Sequence, residues 1–600
     1  MPPYLPRLPF PPWVPDLSDN ETQVSANVVN VIPRGDGWLP FLSFIAFTQA
    51  LPAPCRGFFF ARNGDGSVSL FAGTAESRLY VLNNTTLTWT DVSLGGTAYG
   101  PLATTAMWDF EQFNNFVFAV QANCVPQYFD LSSPTTFHNF SSLPGYQGTV
   151  PQAAFIAIVN RFVMLSGLNG FPYRVQWSDL DNPAIWTAGV GQADFQDLPD
   201  GGLAKGVAGF DLFGVIFQDN MARLITYAPG SPVIFTITKI TGGDGNGIYA
   251  PYGFIIDQDN VFWISQEGFK MLSPGGVPQA IGKEQVDRYF FANVDSSNLQ
   301  LVLPTTDPAA SRLYIPYKST SGQAGLFDSV LVYDWRLQRF SLVKFSGEFL
   351  SVVARPGLTL ENMDSVTPGA VAITGAASNG GPNLIRLTVT STAGMSTAAQ
   401  QTVYGVWNVT QISGSAPFLA AINNKQNTAN SAWGQWPVTI IDGTHVDLVG
   451  STFAGAYTSG GILGGNIELI PFSFDTVSTS TIPSLAGWNP SNQLGFFNGP
   501  TTEAVIETGE QGGNDKRLFV KGFRVISDAP AVFGSVSYRD NPQAPYNYTA
   551  EVGIDQTGTC LVAGGGIDTR YSRARVRIPA GTVWSYISAV EPDGTPTGSY

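Results

Sequence analysis

Charged residues, cysteine, histidine and long hydrophobic runs are all scarce in this chain of 600 residues. Asp, Glu, Lys and Arg together make up 12% of the sequence, about half the share in an ordinary soluble protein. No uninterrupted apolar stretch approaches the length of about 18 residues that a membrane-spanning helix needs. Obligate protein interfaces resemble domain cores and contain few charged residues. Because this chain is poor in charge without being membranous, its composition predicts that partners in a permanent assembly cover much of its surface.

The few cysteines and histidines exclude several kinds of site. Cys55, Cys124 and Cys560 are too few and too scattered for a disulfide framework or a zinc site, and their odd number favours a reducing compartment. A Ser or Cys triad would have to use His138 or His445, which lie in different predicted domains, and no metal-binding, phosphate-binding or nucleophile-elbow motif is present. We therefore expect no catalytic residue, no metal site, no cofactor and no enzymatic activity.

The formal net charge of −15 bears on nucleic-acid partners. A protein that grips nucleic acid needs Lys and Arg to replace phosphate counterions, so this charge argues against such a role. It is compatible with a protein through which nucleic acid passes, because a negative wall repels phosphates instead of adsorbing them.

The first fifteen residues, MPPYLPRLPFPPWVP, are dominated by proline. They lack the basic stretch, apolar core and cleavage site of a secretory signal. Such a composition prefers an extended polyproline II arm without internal hydrogen bonds. Two interpretations remain open at this point: the arm is a disordered tail, or it is anchored on a neighbouring subunit by Tyr4, Phe10 and Trp13.

From about residue 55 to residue 345, one pattern of apolar runs occurs six times with a period of roughly 45 to 53 residues. Each unit has two apolar runs, a run containing Tyr or Trp, and a short closing segment, as in RGFFFARN, SVSLFAGT, RLYVLNN and TWTDVSL. The pattern predicts an all-β fold with a β-propeller of about six to seven four-stranded blades. A seventh blade would combine GEFLSVVARPG with distant strands. The best helix candidate is GKEQVDRYFFAN, residues 282–293.

Composition divides the chain into four predicted parts. Residues 1–50 form the Pro-rich arm and lead-in strands, which pack on the C-terminal domain or on a neighbour, and residues 51–357 form the propeller. Residues 358–465, poor in aromatics and rich in Ser, Thr, Ala and Gly, form an inserted small β-barrel-like module. Residues 466–600 contain long alternating strands such as YSRARVRIPAG and form a C-terminal β-sandwich that also recruits the N-terminal segment.

The densest acidic stretch of the chain contains Asp194, Asp197 and Asp200, spaced three residues apart in a loop with Pro and Gly. Carboxylates in this arrangement are suited to binding a cation or to lining a polar channel. They are equally typical of a solvated loop between two blades.

Several segments resemble one family. The segments are NVIPRGDGWLPF, VQWSDLDNPAIWT, ADFQDLPDGG, VDRYFFANVD and YSRARVRIPAGTVWS. They are similar to segments of the tail nozzle proteins of short-tailed bacteriophages, also called tail tubular B or DNA-stabilising proteins. The similarity covers about residues 25–350 and 515–585. The segment between them, from LIRLTVTSTAG to VDLVGSTFAGAYTSGG, resembles a small β-barrel repeat found inside many phage tail proteins.

The resemblance implies a virion structural protein that is assembled in the bacterial cytoplasm and forms a homohexameric ring below the head-to-tail adaptor. Such a ring extends the DNA ejection channel, retains the genome and carries a tail fibre, spike or needle protein, while double-stranded DNA passes through it transiently. Asp194, Asp197 and Asp200 are then our candidates for lining the channel. The alternative is a propeller-type receptor-binding or glycan-degrading tail protein that would use carboxylates of the same stretch.

Overall fold

The computed structural model confirms a nearly all-β chain. It divides into two compact units, residues 1–355 with 482–600 and residues 356–481. The structure describes residues 7–18, 24–64, 66–84, 86–240, 245–307, 310–354, 371–392, 407–423, 434–465, 483–512 and 516–599.

The N-terminal segment supplies five short strands to sheets that are otherwise built much later in the chain. All five pair with strands beyond residue 480 or with each other. They are β1 (Leu8–Pro9), β2 (Asn27–Val29), β3 (Val31–Arg34), β4 (Gly37–Pro40) and β5 (Leu42–Ala46).

Six blades follow as consecutive four-stranded antiparallel sheets, each built from four strands in chain order. Their second and third strands are mostly buried, because each blade packs between two neighbours. The strands of blades one to six are, in order, β6 (Cys55–Arg62), β7 (Val68–Thr74), β8 (Leu79–Leu82), β9 (Trp89–Asp91); β10 (Asp109–Phe113), β11 (Phe116–Val120), β12 (Gln127–Asp130), β13 (His138–Asn139); β14 (Ala153–Val159), β15 (Phe162–Leu168), β16 (Arg174–Trp177), β17 (Asp194–Asp197); β18 (Ala204–Gly209), β19 (Phe213–Gln218), β20 (Ala222–Tyr227), β21 (Phe235–Lys239); β22 (Phe254–Asp257), β23 (Asn260–Ser265), β24 (Gly268–Leu272), β25 (Gln279–Ala280); and β26 (Thr305–Asp307), β27 (Arg312–Tyr317), β28 (Ser329–Asp334), β29 (Arg339–Val343).

Helical elements are short and lie in the connections between strands. The predicted helix is confirmed in its second half as α1 (Asp287–Asn293), between blades five and six, and the backbone N–H groups of Arg288 and Tyr289 in its first turn donate to the Asp16 carboxylate. The 3₁₀ turns of the described chain span Leu94–Gly96, Phe140–Ser142, Pro199–Gly201 and Ser296–Leu301.

The second unit interrupts the seventh blade after its first strand, β30 (Phe349–Ala354). Its strands form one nearly closed, barrel-like antiparallel sheet in the order β34-β33-β37-β31-β32-β36-β35, around an apolar core of its own. The elements are β31 (Val371–Ser378), β32 (Ile385–Val389), β33 (Trp407–Gly414), α2 (Ala416–Ile422), β34 (Gly434–Trp436), β35 (Val438–Ile440), β36 (His445–Leu448) and β37 (Tyr457–Gly465).

The seventh blade is assembled from three separate segments of the chain. After β30 it continues with β38 (Pro483–Trp488) and β39 (Leu494–Thr501), and its outermost strand is β5. The register places Phe496 opposite Ile45 and Gly495 opposite Ala46. The propeller therefore has seven blades, and it extends beyond the predicted range 51–357 because closing the ring recruits residues 42–46 and 483–501.

The remaining strands form a sandwich of two seven-stranded sheets, one with the path β2-β40-β48-β43-β44 and one with the path β3-β4-β49-β42-β46. The N-terminal strands β2, β3 and β4 lie within these paths, as the sequence pattern predicted. The sandwich begins near residue 504, later than the predicted 466, because blade seven takes the preceding strands. Its later strands are β40 (Ala504–Glu507), β41 (Gln511–Gly512), β42 (Lys516–Ser527), β43 (Phe533–Arg539), β44 (Asn547–Tyr548), β45 (Val552–Gly553), β46 (Thr559–Leu561), β47 (Ile567–Thr569), β48 (Tyr571–Ile578) and β49 (Ile587–Ser599).

The inner faces of both sheets share one apolar core with blades five and six. Val576 of one sheet and Val590 of the other are fully buried in this core, as are Leu331 of blade six and Phe290 of α1. Burial of each such side chain contributes about 1.5–3 kcal/mol relative to leaving it exposed. The sandwich and the propeller of the first unit are therefore joined by continuous packing.

Replacing Phe496 with Ala tests the closure of blade seven. The ring is 2% exposed and lies 5.3 Å from the ring of Phe47, next to β5. Loss of this contact leaves a cavity, so we expect the free energy of unfolding of the first unit to fall by about 3–5 kcal/mol in urea titrations. Val583→Ala, at a side chain that is 84% exposed, is the control and should change it by less than about 0.5 kcal/mol. Equal effects of the two substitutions would contradict the packing of blade seven.

Candidate functional site

The centre of the propeller is the first place to look for a site, because the innermost strands of all blades meet there. The first strands of the seven blades contact one another in a closed ring. Tyr252, just before blade five, reaches across this ring: its hydroxyl oxygen accepts a hydrogen bond of 3.0 Å from the backbone N–H of Met107, just before blade two. The Tyr252 ring also lies 5.1 Å from that of Phe155 in blade three. Protein side chains thus occupy this part of the axis.

Two carboxylates lie on the innermost strand of blade two, where no motif had singled them out. Asp109 accepts a hydrogen bond of 2.9 Å from the backbone N–H of Ile156 in blade three. Burial raises the pKa of Asp109 to about 7 and that of Glu111 to about 8, and among the described residues neither forms a salt bridge. Their only signal in the sequence is an acid at alternate positions of the apolar run DFEQF.

The predicted acidic stretch lies at the rim of blade three. Asp194 and Asp197 begin and end β17, the outermost strand of that blade, and Asp200 lies in the 3₁₀ turn that follows. All three therefore lie in one continuous segment at the outside of the blade.

Two of these three carboxylates are held in ion pairs. Asp197 accepts hydrogen bonds of 2.7 and 3.0 Å from Arg174, and this side chain lowers the pKa of Asp197. Asp200 pairs with Arg223 and, at 3.0 Å, with Lys239, which lower its pKa to about 2. Both groups are therefore ionised and paired at neutral pH, which makes them unsuitable as general acids.

Exposed aromatic rings surround the Asp197–Arg174 pair. Phe171, Tyr173 and Phe195 are 49%, 42% and 36% exposed. The guanidinium carbon of Arg174 lies 4.3 Å from the centre of the Phe171 ring and 3.6 Å from that of Phe195. The sequence pattern did not predict this group, because its residues come from the segments FPYRVQW and ADFQD, which the pairing of β16 with β17 brings together.

The proposed anchors of the N-terminal arm have intramolecular contacts. Phe10 and Trp13 are only 2% and 3% exposed and belong to the core shared by sandwich and propeller. Trp13 packs edge-on against Tyr289 of α1 at 5.1 Å. The expectation that these two rings anchor the arm on a neighbouring subunit is corrected, because their own chain buries them. Tyr4 lies outside the described residues.

The histidines and cysteines have ordinary structural environments. The His138 ring packs 5.6 Å from Tyr128, and His445 lies 2.8 Å from the Asp442 carboxylate. All three cysteines are buried, and burial raises the pKa of the Cys124 thiol to about 12 and that of Cys560 to about 11, so these two lack thiolate character at neutral pH. Within the described ranges, no group of three or more His, Cys, Asp or Glu residues could hold a metal ion. None of the described helices is long and apolar enough to span a bilayer.

Comparison with known proteins identifies no relative by sequence: neither a family model nor a curated protein matches. Solved structures with similarity include the WD40 domain of Neurospora crassa Pan2, at 10% identity and a TM-score of 0.31, covering 54% of this chain and 91% of that one. The computationally designed Ika8 protein is similar at 10% identity and a TM-score of 0.30, covering 52% and 93%. With both scores below 0.5, the blade count depends on the strand pairing of this chain itself.

The raised pKa values of Asp109 and Glu111 predict a specific pH dependence of the free energy of unfolding. Their pKa values lie above the ordinary values of 3.8 and 4.5, so the folded chain binds their protons more tightly than the unfolded chain does. The free energy of unfolding should therefore fall as the pH rises from about 4 to about 8. The double variant Asp109→Asn, Glu111→Gln has no carboxyl group to ionise at these positions. It should therefore be more stable than the unmodified protein at pH 8 by on the order of 1–3 kcal/mol, with little difference near pH 4.

Denaturant titrations between these pH values measure the effect, with Asp211→Asn at an exposed position as the matched control. If the double variant and the control have the same pH slope as the unmodified protein, the assignment of raised pKa values to this strand is wrong.

Proposed function

We propose that this chain is a structural subunit of a bacteriophage virion, the tail nozzle below the head-to-tail adaptor, as its sequence resemblance suggests. In this role it extends the DNA ejection channel, retains the genome and carries a fibre, spike or needle protein, without catalysing a reaction. The observation that carries the proposal is the contact of Tyr252 with Met107 and Phe155 across the propeller ring. Propellers often bind ligands at their central face, and here protein side chains fill part of that position.

An exposed strand edge supports self-association. In the described chain, β5 pairs with β39 along one edge and no strand pairs with its other edge. Leu42 and Ile45 on this strand are 37% and 48% exposed. An apolar edge without a charged side chain is a template for contact with a second chain. We propose that this edge is part of the subunit interface in a homohexamer.

The charge balance agrees with transient passage of DNA. Six copies would carry about −90 in total, which would repel phosphates from a channel wall at short range. It stays a prediction that this wall contains Asp194, Asp197 and Asp200. Because Asp197 and Asp200 pair with Arg174, Arg223 and Lys239, these two would add little net charge to such a wall.

The assembly state of the purified chain tests the proposal. Light scattering and electron microscopy should find a hollow six-fold ring of about 385 kDa, six times the 64.2 kDa of one chain. Ile45→Glu should weaken the ring by placing a charge on the β5 edge, while Val583→Glu, the same charge at an 84% exposed site, should leave it intact. A monomer at every concentration, alone and with the adaptor, would contradict the nozzle. An intact ring of the Ile45→Glu variant would contradict only the role of β5.

A further inference from the structure

A shallow cleft of about 350 Å³ opens at the rim of blade three, away from the propeller axis. Its volume is at the lower end of the range for small-molecule sites, about 300–1,000 Å³. The lining residues are Gly170, Phe171, Pro172, Tyr173, Asp197 and Pro199.

The walls of this cleft leave aromatic surface open to solvent. Phe171 and Tyr173 are each more than two-fifths exposed, and Phe195 lies beside them on the outermost strand. Single exposed apolar side chains are ordinary, but two half-exposed aromatic rings that line the same cleft are a feature of binding sites.

The polar part of the cleft is held rigid before any ligand arrives. The guanidinium of Arg174 lies between the rings of Phe171 and Phe195 and donates two hydrogen bonds to Asp197, at 2.7 and 3.0 Å. Stacking and a bidentate ion pair fix both side chains in one geometry. Asp197, the acid of the lining, consequently presents its carboxylate oxygens in a fixed geometry, and little entropy remains to be lost on binding.

We propose that this cleft binds a neutral pyranose, the unit of a surface polysaccharide. The apolar C–H face of a sugar ring stacks on an exposed aromatic ring, here that of Tyr173. A hydroxyl group of the same sugar can donate to the carboxylate of Asp197, the acid of the lining. The site goes beyond the proposed nozzle function and does not depend on it.

The charge and the size of the cleft favour a sugar over nucleic acid or a protein partner. The paired Asp197 and Arg174 have no net charge, and the lining residues include no Lys or Arg to bind a phosphate group. A stable protein interface buries about 800 Å² on each partner, far more than this small cleft offers. We expect binding without cleavage, since glycoside hydrolysis uses a pair of carboxyl groups that flank the glycosidic bond, and the lining residues include one acid, Asp197.

Saturation-transfer NMR on the full chain tests the site with five probes, the methyl glycosides of glucose, galactose, mannose, rhamnose and N-acetylglucosamine. At about 10 mM probe, within the range of weak millimolar affinities, we expect transfer to at least one glycoside. Tyr173→Ala should weaken binding at least tenfold, and Asp197→Asn at least threefold. Tyr173→Phe, which keeps the ring, should bind within about twofold of the unmodified chain. The control is Tyr548→Ala, at a tyrosine that is 50% exposed on the sandwich; it should leave binding unchanged.

Three results would overturn the inference. One is the absence of transfer to all five glycosides. Another is equal transfer in the Tyr173→Ala variant and the unmodified chain, with both folded by circular dichroism. The third is burial of Tyr173 against a protein partner, detected as protection of the rim from surface labelling in the assembled particle. Because the NMR experiment needs only the folded chain, its outcome is separate from that of the assembly experiment.

Discussion

The pairing of β5 with β39 is the constraint on which the rest of the first unit depends. It joins residues 42–46 to residues 494–501 and supplies the outermost strand of blade seven, which fills the gap between blades six and one. Closure gives the last blade a neighbour on each side, so the apolar faces of all seven blades are covered. Because β4 and β40 continue directly from these strands into the sandwich, the same pairing ties both ends of the chain into one packed body. The 126-residue second unit is inserted within this blade, between β30 and β38.

The propeller ring has side chains packed across its centre, and its exposed aromatic rings and free strand edge lie at the periphery. The Tyr252 ring near the axis contacts Phe155, while the group around Arg174 lies on an outer strand with aromatic surface open to water. The free edge of β5 is also peripheral. The structure therefore separates a packed core from outer edges that are open to solvent.

Much of this fold could be predicted from the sequence, because blades one to six are local. Each is made of four consecutive strands whose apolar runs and turn residues repeat along the chain. The alternation in YSRARVRIPAG predicted a strand in a sheet with one solvent-exposed face, and in β48 Val576 and Ile578 are buried while the alternating arginines are partly exposed. Blade seven was harder to predict from the sequence, since its four strands come from three distant segments of the chain. Side-chain partners were not predictable: Asp200 pairs with Arg223 of the next blade, and Trp13 packs on α1, and neither contact leaves a periodic signal.

Native-state hydrogen exchange at the closing strand tests the central claim most directly. The backbone N–H of Phe47, next to β5, donates to the carbonyl oxygen of Leu494 at 2.8 Å. If closure of blade seven holds the first unit together, this amide should exchange only through the same large opening that exposes the inner strand β6. Exchange of the Phe47 amide at the rate of a frayed terminus, while β6 stays protected, would show that the ring stands without its closing strand β5 and would contradict the account.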